Sequence, residues 1–313
     1  MTPSPHRTAG REELVGIVGW PQETNELIVE AWRDLGIPAG MLSPTDARLL
    51  LGCNDVAIGR FDVRATLDGV QPGLEVLSAL ERDGVRVING VDALMNAHDK
   101  LRTTRLLVGA GLPHPKTAHI TAPDEVVRID PPVVVKPRFG SWGTDVFRCE
   151  TRSDFVRTLA EVSSRPWFIR HGALVQELVP PTGYDLRLVV SAGHVVGATE
   201  RVARAGEWRT NISLGGTRRP TRPSREACAL GVEAAALVGA DLVGVDLLPA
   251  AGGYVVLELN GAVEFDRAYD LGGSNVFAAA ASALGLPRLT HPRGQTISSG
   301  RGPAPLRPRS RVS

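Results

Sequence analysis

Two carboxylates and an amide near the end of the chain are the residues best suited to chemistry. Gly244-Val245-Asp246-Leu247-Leu248 reads as a strand, Pro249 to Gly253 as a turn, and Tyr254-Val255-Val256-Leu257-Glu258-Leu259-Asn260 as the returning strand. Side chains alternate along a strand, so Glu258 and Asn260 share a face, and the hairpin can bring Asp246 to it. Such a cluster is a hard oxygen site of the kind that suits Mg²⁺, which takes few protein carboxylates and completes its shell with water and phosphate. The same residues also read as a hairpin that exposes polar side chains on one face.

Lysine usage is the second chemical signal. Of 35 Lys and Arg residues only Lys100, Lys116 and Lys136 are lysines. A chain that uses arginine for generic positive charge keeps lysine where a compact ammonium is needed. Lys136 ends the apolar run Val133-Val134-Val135, where a charge is costly unless it meets an anion. Phe139-Gly140-Ser141-Trp142-Gly143-Thr144 follows, a loop whose backbone N–H groups can cover phosphates. A lysine emerging into solvent before an ordinary loop fits the same residues. No G-x-x-x-x-G-K-[ST] occurs, and Gly16 and Gly19 do not complete a G-x-G-x-x-G.

The elements that must position these groups alternate. Leu14–Val18 reads as a strand. A helix follows with Thr24 as its N-cap and Leu27, Ile28, Ala31, Trp32 and Leu35 on its apolar face. Further strands and helices run to Val85–Ile88, which implies a parallel sheet in a small Rossmann-like domain. A second unit begins near His98, with a helix over Asp99–Val108, strands over Lys116–Thr121 and Val133–Lys136, and a helix over Ser153–Val162. A third has strands over Leu174–Glu177, Asp185–Ser191 and His194–Glu200, a helix over Ser224–Val238, the acidic hairpin, and a last helix over Ser274–Leu284. His98 and His114 read as structural, and His171 as part of a surface turn.

Composition narrows the function classes. A length of 313 residues suggests about two domains. A net charge of +1 gives no field for nucleic acid or membrane surfaces, and no apolar run approaches a membrane span. The polar N-terminus lacks a signal peptide's apolar core, which points to the cytoplasm. Cys53, Cys149 and Cys228 lack metal spacing and read as buried free thiols. From Arg288 onward Pro, Gly, Ser and Arg dominate, so 288–313 reads as a disordered basic tail, with an arm touching RNA or an acidic partner as the sharper alternative.

In order along the chain these motifs resemble the ATP-grasp superfamily, and within it the RimK-type (RimK/LysX-like) carboxylate–amine ligases. Asn89-Gly90 followed by His98-Asp99-Lys100-Leu101-Arg102 resembles the segment that enters the grasp domain, with its ATP lysine. Val134-Val135-Lys136 and the glycine loop resemble the second ATP lysine and the phosphate cover. Val175-Gln176-Glu177-Leu178-Val179 resembles the strand that holds adenine, Gly183-Tyr184-Asp185-Leu186-Arg187 the ribose-binding aspartate with its arginine, and Glu207-Trp208-Arg209-Thr210-Asn211 the arginine–asparagine loop near the phosphates.

The resemblance implies an α/β fold: a Rossmann-like pre-ATP-grasp domain (1–97), a small grasp lobe (98–173), and a C-terminal lobe carrying the metal site (174–287). It implies ATP and Mg²⁺ (or Mn²⁺) as cofactors, and a carboxylate and an amine, small molecules or on a carrier protein, as substrates. A homo-oligomer is in keeping with the family. Lys100, Lys136, Gly140, Ser141, Gly143, Glu177, Leu178, Asp185 and Asn211 would bind ATP. Asp246, Glu258 and Asn260 would hold the metal, and Arg209 and Arg187 would stabilise transferring charge. Two departures stand out. The metal asparagine runs into Gly261-Ala262-Val263-Glu264-Phe265-Asp266 rather than a small-residue and Pro-Gly turn, so its acids face a substrate amine or cap the next segment. Asp145 replaces a loop glycine. Arg201 and Arg204 line the cleft or form surface salt bridges. The competing reading is a nucleotide-binding regulator with a degenerate grasp fold.

Overall fold

The computed structural model of the chain describes residues 13–289. The expectations for the extreme N-terminus and for the basic tail fall, but for Glu13, Arg288 and Leu289, outside the described residues. The alternating first third forms β1 (Val15–Gly19), α1 (Glu23–Asp34), β2 (Ala39–Leu42), α2 (Pro44–Leu50), β3 (Val56–Arg60), α3 (Glu75–Arg82) and β4 (Arg86–Ile88). The strands pair in parallel in the order β2-β1-β3-β4. β1 and β3 are buried throughout, as expected of a parallel sheet covered on both faces.

α1 departs from expectation in detail. Its N-cap is Gln22, and Thr24 lies inside the first turn. Its buried stripe is Asn25, Ile28, Val29 and Trp32, the i, i+3, i+4, i+7 pattern of one helix face, which leaves Leu27 exposed.

Two short helices follow. α4 (Val91–His98) was not anticipated; it starts at Gly90, without a side-chain cap to announce it. Asp99 ends it and caps α5 (Lys100–Gly109), accepting from the backbone N–H groups of Leu101 and Arg102. Leu107 and Leu112 pack with the C-terminal core rather than with the lobe expected over 98–173.

The next sheet holds β5 (Thr117–Ile120), β6 (Val133–Pro137), β7 (Phe147–Cys149) and β8 (Ala173–Glu177), antiparallel in the order β5-β8-β6-β7. α6 (Arg152–Val162) starts from a reciprocal Thr151–Asp154 capping box. α7 (Pro166–His171) places His171 in a helix end, not a turn. Its ring bonds the Asp68 carbonyl at 2.9 Å.

The last sheet is antiparallel, in the order β11-β10-β9-β12-β13. Its strands are β9 (Tyr184–Ser191), β10 (His194–Val202), β11 (Thr217–Pro220), β12 (Leu242–Ala250) and β13 (Gly253–Asn260). Alternation divides its faces. Leu186, Leu188 and Val190 join a core with α4, α5 and α8 (Arg225–Val238), whereas Val189 faces a core shared with β1, α1 and α9 (Val276–Ala283).

Asn89, at φ 56°, ties these parts together: its side chain donates to the Leu242 carbonyl and accepts from the N–H groups of Asp241 and Leu242. Of the free thiols only Cys149 is buried; Cys53 is exposed and Cys228 is half-buried. No helix among the described residues is long and apolar enough to cross a membrane.

Candidate active site

The cleft lies where the two antiparallel sheets face each other, and strand register explains what lines it. On β6 and β8, Val133, Val135, Ala173 and Val175 face the small lobe's own core. Val134, Lys136, Leu174 and Gln176 therefore point the other way. Lys136 is 5% exposed, and its ammonium donates to Gln176 Oε1 at 2.7 Å, a neutral partner. Burial pulls its pKa down to about 8; Glu258 opposes the shift and Lys100 adds to it. Lys100 stands at the start of α5, with its ammonium on the Gly140 carbonyl and 3.3 Å from Glu258 Oε2.

Facing these, the five-stranded sheet carries a charge network written into its register. Arg187 lies opposite Asp246, and Arg201 lies opposite Asp185. Arg187 grips Asp246 with two bonds of 2.7 Å. Arg201 grips Asp185 with two bonds, and its Nη2 also reaches Asp246 Oδ2 at 2.8 Å. Thr210 Oγ1 donates to Asp185 at 2.6 Å. Burial alone would raise the Asp246 carboxyl, but Arg187 and Arg201 outweigh it and hold it well below the carboxylate range. Arg201 is itself pushed well above its ordinary value by Asp246 and Asp185, against burial. Arg201 is thus a buried member of the site, not part of a solvated face.

Lys100, Lys136, Asp185, Arg201 and Thr210 line one cleft of about 1000 Å³, solvent space included, whereas Asp246 sits behind its wall and lines neither this cleft nor the chamber beside it. The cleft brings together Lys100, Lys136, Gly140, Ser141, Gly143, Glu177, Leu178, Asp185, Arg209, Asn211 and Glu258. The glycine loop arches over it. Gly143, at φ +72°, leaves no room for a Cβ, which would sit 2.7 Å from Asn211 Oδ1. Arg209 is held by Glu207 and donates to the Gly143 carbonyl at 3.0 Å, so it fastens the loop as well as lining the cleft. These contacts with Arg209 pull the Glu207 carboxyl down to about 2. Asp145, at φ 55°, is anchored by Arg165 and by Trp167 Nε1.

A second chamber of about 580 Å³ adjoins the first, and both are lined by Ser141, Arg201, Asn211 and Glu258. Arg187, Asn260 and Glu264 line the second chamber, and Asp62 reaches it from the N-terminal unit.

The three proposed metal-holding residues share one face of the hairpin. Asp246 lies opposite Glu258 across β12 and β13, beside a bulge, and Asn260 two residues on. Asn260 Nδ2 is buried without a hydrogen-bond partner, so one end of that amide is unspent. Glu258 has only the Lys100 contact among the ion pairs of the described residues. Glu258 fits a hard cation and the Asn260 N–H fits an acceptor such as a phosphate oxygen, which leaves Oδ1 as the amide's cation-binding atom, whereas Asp246 is already held by two arginines. No three His, Cys, Asp or Glu side chains gather as a metal site among the described residues; the amide must count as the third oxygen donor.

His114 behaves structurally: its ring bonds the Val256 carbonyl and Thr104. His98 is buried with Nε2 unpartnered against Gly261. Sequence reasoning missed Gln176, Thr210 and Asp62 as lining residues. Gln176 carried a signal, since it shares strand parity with Leu174 opposite Lys136; Asp62 carried none.

Similarity to known proteins identifies the family. The family model described as a RimK-like ATP-grasp domain matches residues 97–281. A probable alpha-L-glutamate ligase of Thioalkalivibrio sulfidiphilus is 33% identical over 232 residues, covering 71% of this chain and 76% of that one. The tetrahydromethanopterin:alpha-L-glutamate ligase of Methanosarcina acetivorans is 31% identical over 221 residues, 67% of this chain and 65% of that protein. Among solved structures, the ATP-grasp ligase PsnB complexed with minimal precursor, Mg and ADP shares the fold, with a TM-score of 0.63 over 87% of this chain and 97% of that one, at 21% identity. The chain belongs to the RimK-like ATP-grasp family and is an ATP-grasp ligase, of the class that joins a carboxylate to an amine using ATP.

Proposed function

We propose that the first cleft holds ATP and that the phosphate end of that cleft opens onto the acceptor in the second chamber. The observation that carries this reading is the common wall of Ser141, Arg201, Asn211 and Glu258, where a transferring phosphoryl group would pass from one chamber to the other.

Glu177 and Leu178 border the adenine end and Asp185 the ribose. Lys100, Lys136 and the Gly140–Gly143 loop surround the phosphates. Phosphoryl transfer demands positioned positive charge more than covalent help, and these groups supply it in a site of low dielectric. The substrate carboxylate attacks the γ-phosphorus, ADP departs, and an acyl phosphate forms. The amine then attacks the acyl carbon, loses a proton, and phosphate leaves with the C–O bond electrons. Arg209 and Arg187 offset charge on the transferring group.

Glu258 and the Asn260 amide oxygen would hold Mg²⁺, joined by Asp246 where it exchanges an arginine contact for the cation, with Mn²⁺ as the substitute of similar ligand taste. A cation held there would supply positive charge to offset that of the phosphates. The units expected over 1–97, 98–173 and 174–287 would supply acceptor wall, phosphate cover and metal face, with α5 packed on the last of them. The acceptor is a small molecule or a carrier-borne carboxylate, in a cytoplasmic setting consistent with the free thiols.

Hydroxamate trapping tests the reading. With Mg²⁺, ATP, hydroxylamine and one candidate carboxylate at a time, an ATP-dependent hydroxamate formed with ADP is expected, because hydroxylamine intercepts an acyl phosphate. ATP binding without hydroxamate or ADP from any acid would favour the regulator.

A further inference from the structure

Lys136 is aimed by a chain of hydrogen bonds that begins outside the cleft. Its ammonium donates to Gln176 Oε1. An ammonium can only donate, so it needs the oxygen end of that amide, and the NH₂ end must then find acceptors on the far side. Two side chains stand there: Thr117 Oγ1, 2.8 Å from Gln176 Nε2, and His114 Nε2, 3.4 Å from it. Neither His114 nor Thr117 lines the cleft or the chamber beside it.

Two backbone carbonyls make acceptors of both. A carbonyl oxygen has no proton to give, so whatever bonds to it must donate. The Thr117 hydroxyl gives its single proton to the Pro115 carbonyl at 2.8 Å, which leaves its lone pairs for Gln176. His114 Nδ1 lies 2.8 Å from the Val256 carbonyl, so Nδ1 carries the ring proton and donates it there. Nε2 is then a bare lone pair, and Thr104 Oγ1 donates to it at 3.0 Å. A second ring proton would turn Nε2 into a donor facing Gln176. Burial pulls the imidazole down to about 4 and the Lys136 charge adds to that pull, against the Val256 carbonyl, so the ring is neutral at neutral pH.

The place of Val256 in the fold gives it this role. β13 is an edge strand of the five-stranded sheet, and at Val256 its backbone faces outward. The Val256 N–H donates to the Pro113 carbonyl at 2.9 Å, and the Val256 carbonyl accepts from His114. The segment before β5 thus docks on β13 much as a strand would, with an imidazole in place of a backbone N–H. Thr117 and Gln176 belong to the other sheet, opposite each other on β5 and β8. A carbonyl of one sheet therefore sets the proton positions that aim an ammonium of the other.

We propose that His114 and Thr117 are positioning residues for the nucleotide: they hold the Gln176 amide with its oxygen toward the cleft, and through it the Lys136 ammonium where the ATP phosphates meet it. The inference rests on the reading of the cleft as an ATP site and adds to it residues that touch neither nucleotide nor substrate. Gln176 suits the linking position because it is neutral. It orients the ammonium and leaves its charge for the phosphates.

Binding of a non-hydrolysable ATP analogue with Mg²⁺, measured by calorimetry on the full chain, tests the proposal. Thr117→Val keeps the shape of the side chain and removes the acceptor. It is expected to weaken binding about three- to tenfold, the scale of one lost hydrogen bond. Thr117→Ser keeps the hydroxyl and is expected to bind within about twofold of wild type. In a Gln176→Leu background Thr117→Val is expected to cause no further loss, since the link it acts through is gone. An equal loss in both backgrounds, or no loss in either, overturns the proposal. A measurement on the wild-type chain removes any dependence on how the variants fold. In ¹⁵N-histidine-labelled protein near neutral pH, nuclear magnetic resonance is expected to show His114 as the neutral ring with its proton on Nδ1. A proton on Nε2 would set a donor against the Gln176 NH₂ and overturn the proposal as well. Lys136→Met separates the inference from the reading beneath it. Unchanged analogue binding in that variant sinks the ATP role of Lys136 itself, whereas binding weakened there and unaltered in Thr117→Val sinks only the positioning role.

Discussion

The two sheets that face the cleft treat buried charge in opposite ways. On the five-stranded sheet the two buried acids find counter-charges at home: Asp246 and Asp185 are held by Arg187 and Arg201 in bonds fixed by cross-strand register. On the four-stranded sheet Lys136 is as deeply buried, yet its partner is the neutral Gln176. A closed network of ions rigidifies and orients, whereas an ammonium without a counter-ion keeps an unmet demand for an anion. The first sheet is built to position, the second to bind.

The largest effect should come from opening the closed network. Asp246→Asn removes the charge that holds two arginines. Seen from sequence alone, this change should abolish turnover and leave the fold intact; the buried position alters the second half. Leaving Arg187 and Arg201 facing a neutral amide should lower stability by about 3–5 kcal/mol, the usual penalty for breaking a buried ion pair. Hydroxamate formation and chemical denaturation, measured on the same sample, check both effects. Full activity with an unchanged unfolding midpoint would show that the network is ornamental.

The second prediction tries to make one sheet behave like the other. In the unfolded chain a lysine keeps its proton to about pH 10.5, whereas folded Lys136 loses it near pH 8. Between these values the unfolded state binds more protons, so stability should rise with pH across that window. The cost of the buried ammonium is fully present below pH 8. Gln176→Glu supplies a carboxylate at the same place, and Thr117, which accepts from Gln176 and donates to the Pro115 carbonyl, each at 2.8 Å, must turn its hydroxyl from that carbonyl to the new acid. The variant should lose the alkaline rise and gain about 1–2 kcal/mol at neutral pH, and it should bind ATP more weakly because the anion site is filled. Denaturation at several pH values and nucleotide titration measure both effects. In the wild type, ATP binding near pH 8.5 should take up a proton, since phosphate favours the ammonium. Equal calorimetric heats in buffers of different ionisation enthalpy would refute that uptake.

How far sequence could see follows the same divide. The places of groups set by one strand or one hairpin were legible: Lys136 at the end of an apolar run, the glycine loop after it, and Glu258 and Asn260 by strand parity with Asp246 across the hairpin; their partners on other elements, Gln176, Arg187 and Arg201 among them, were not. Arg201 was ambiguous because its burial depends on the β9–β10 register, which no single strand encodes. Gln176 was passed over because a glutamine in an apolar strand has no meaning until Lys136 is placed diagonally across from it. Asp62 was invisible, since it joins the second chamber only through the packing of β3 against Val263. Elements were lost for a simpler reason. β7 and β11 have 3 and 4 residues, too few for a period to show, and α4 has no side-chain cap to announce it.

The smallest prediction concerns the loop that spans the two sheets. Asp145 sits at φ 55°, where a glycine would be at ease, yet its carboxylate anchors Arg165 and Trp167 Nε1. Asp145→Gly therefore trades backbone strain for lost anchorage. The strain relieved is about 1 kcal/mol, and the half-exposed pair with Arg165 is worth no more than that, so global stability should move by less than about 1 kcal/mol. The loop itself should respond more clearly. Freed at its C-terminal end, it must be ordered again each time nucleotide binds. The KM for ATP should therefore rise a few-fold while kcat holds, as expected when ordering entropy is taken from binding energy. Steady-state kinetics separate the two constants. A fall in kcat at unchanged KM would mean that Asp145 shapes the transferring phosphate's surroundings, and that the loop belongs with the positioning sheet rather than with the binding one.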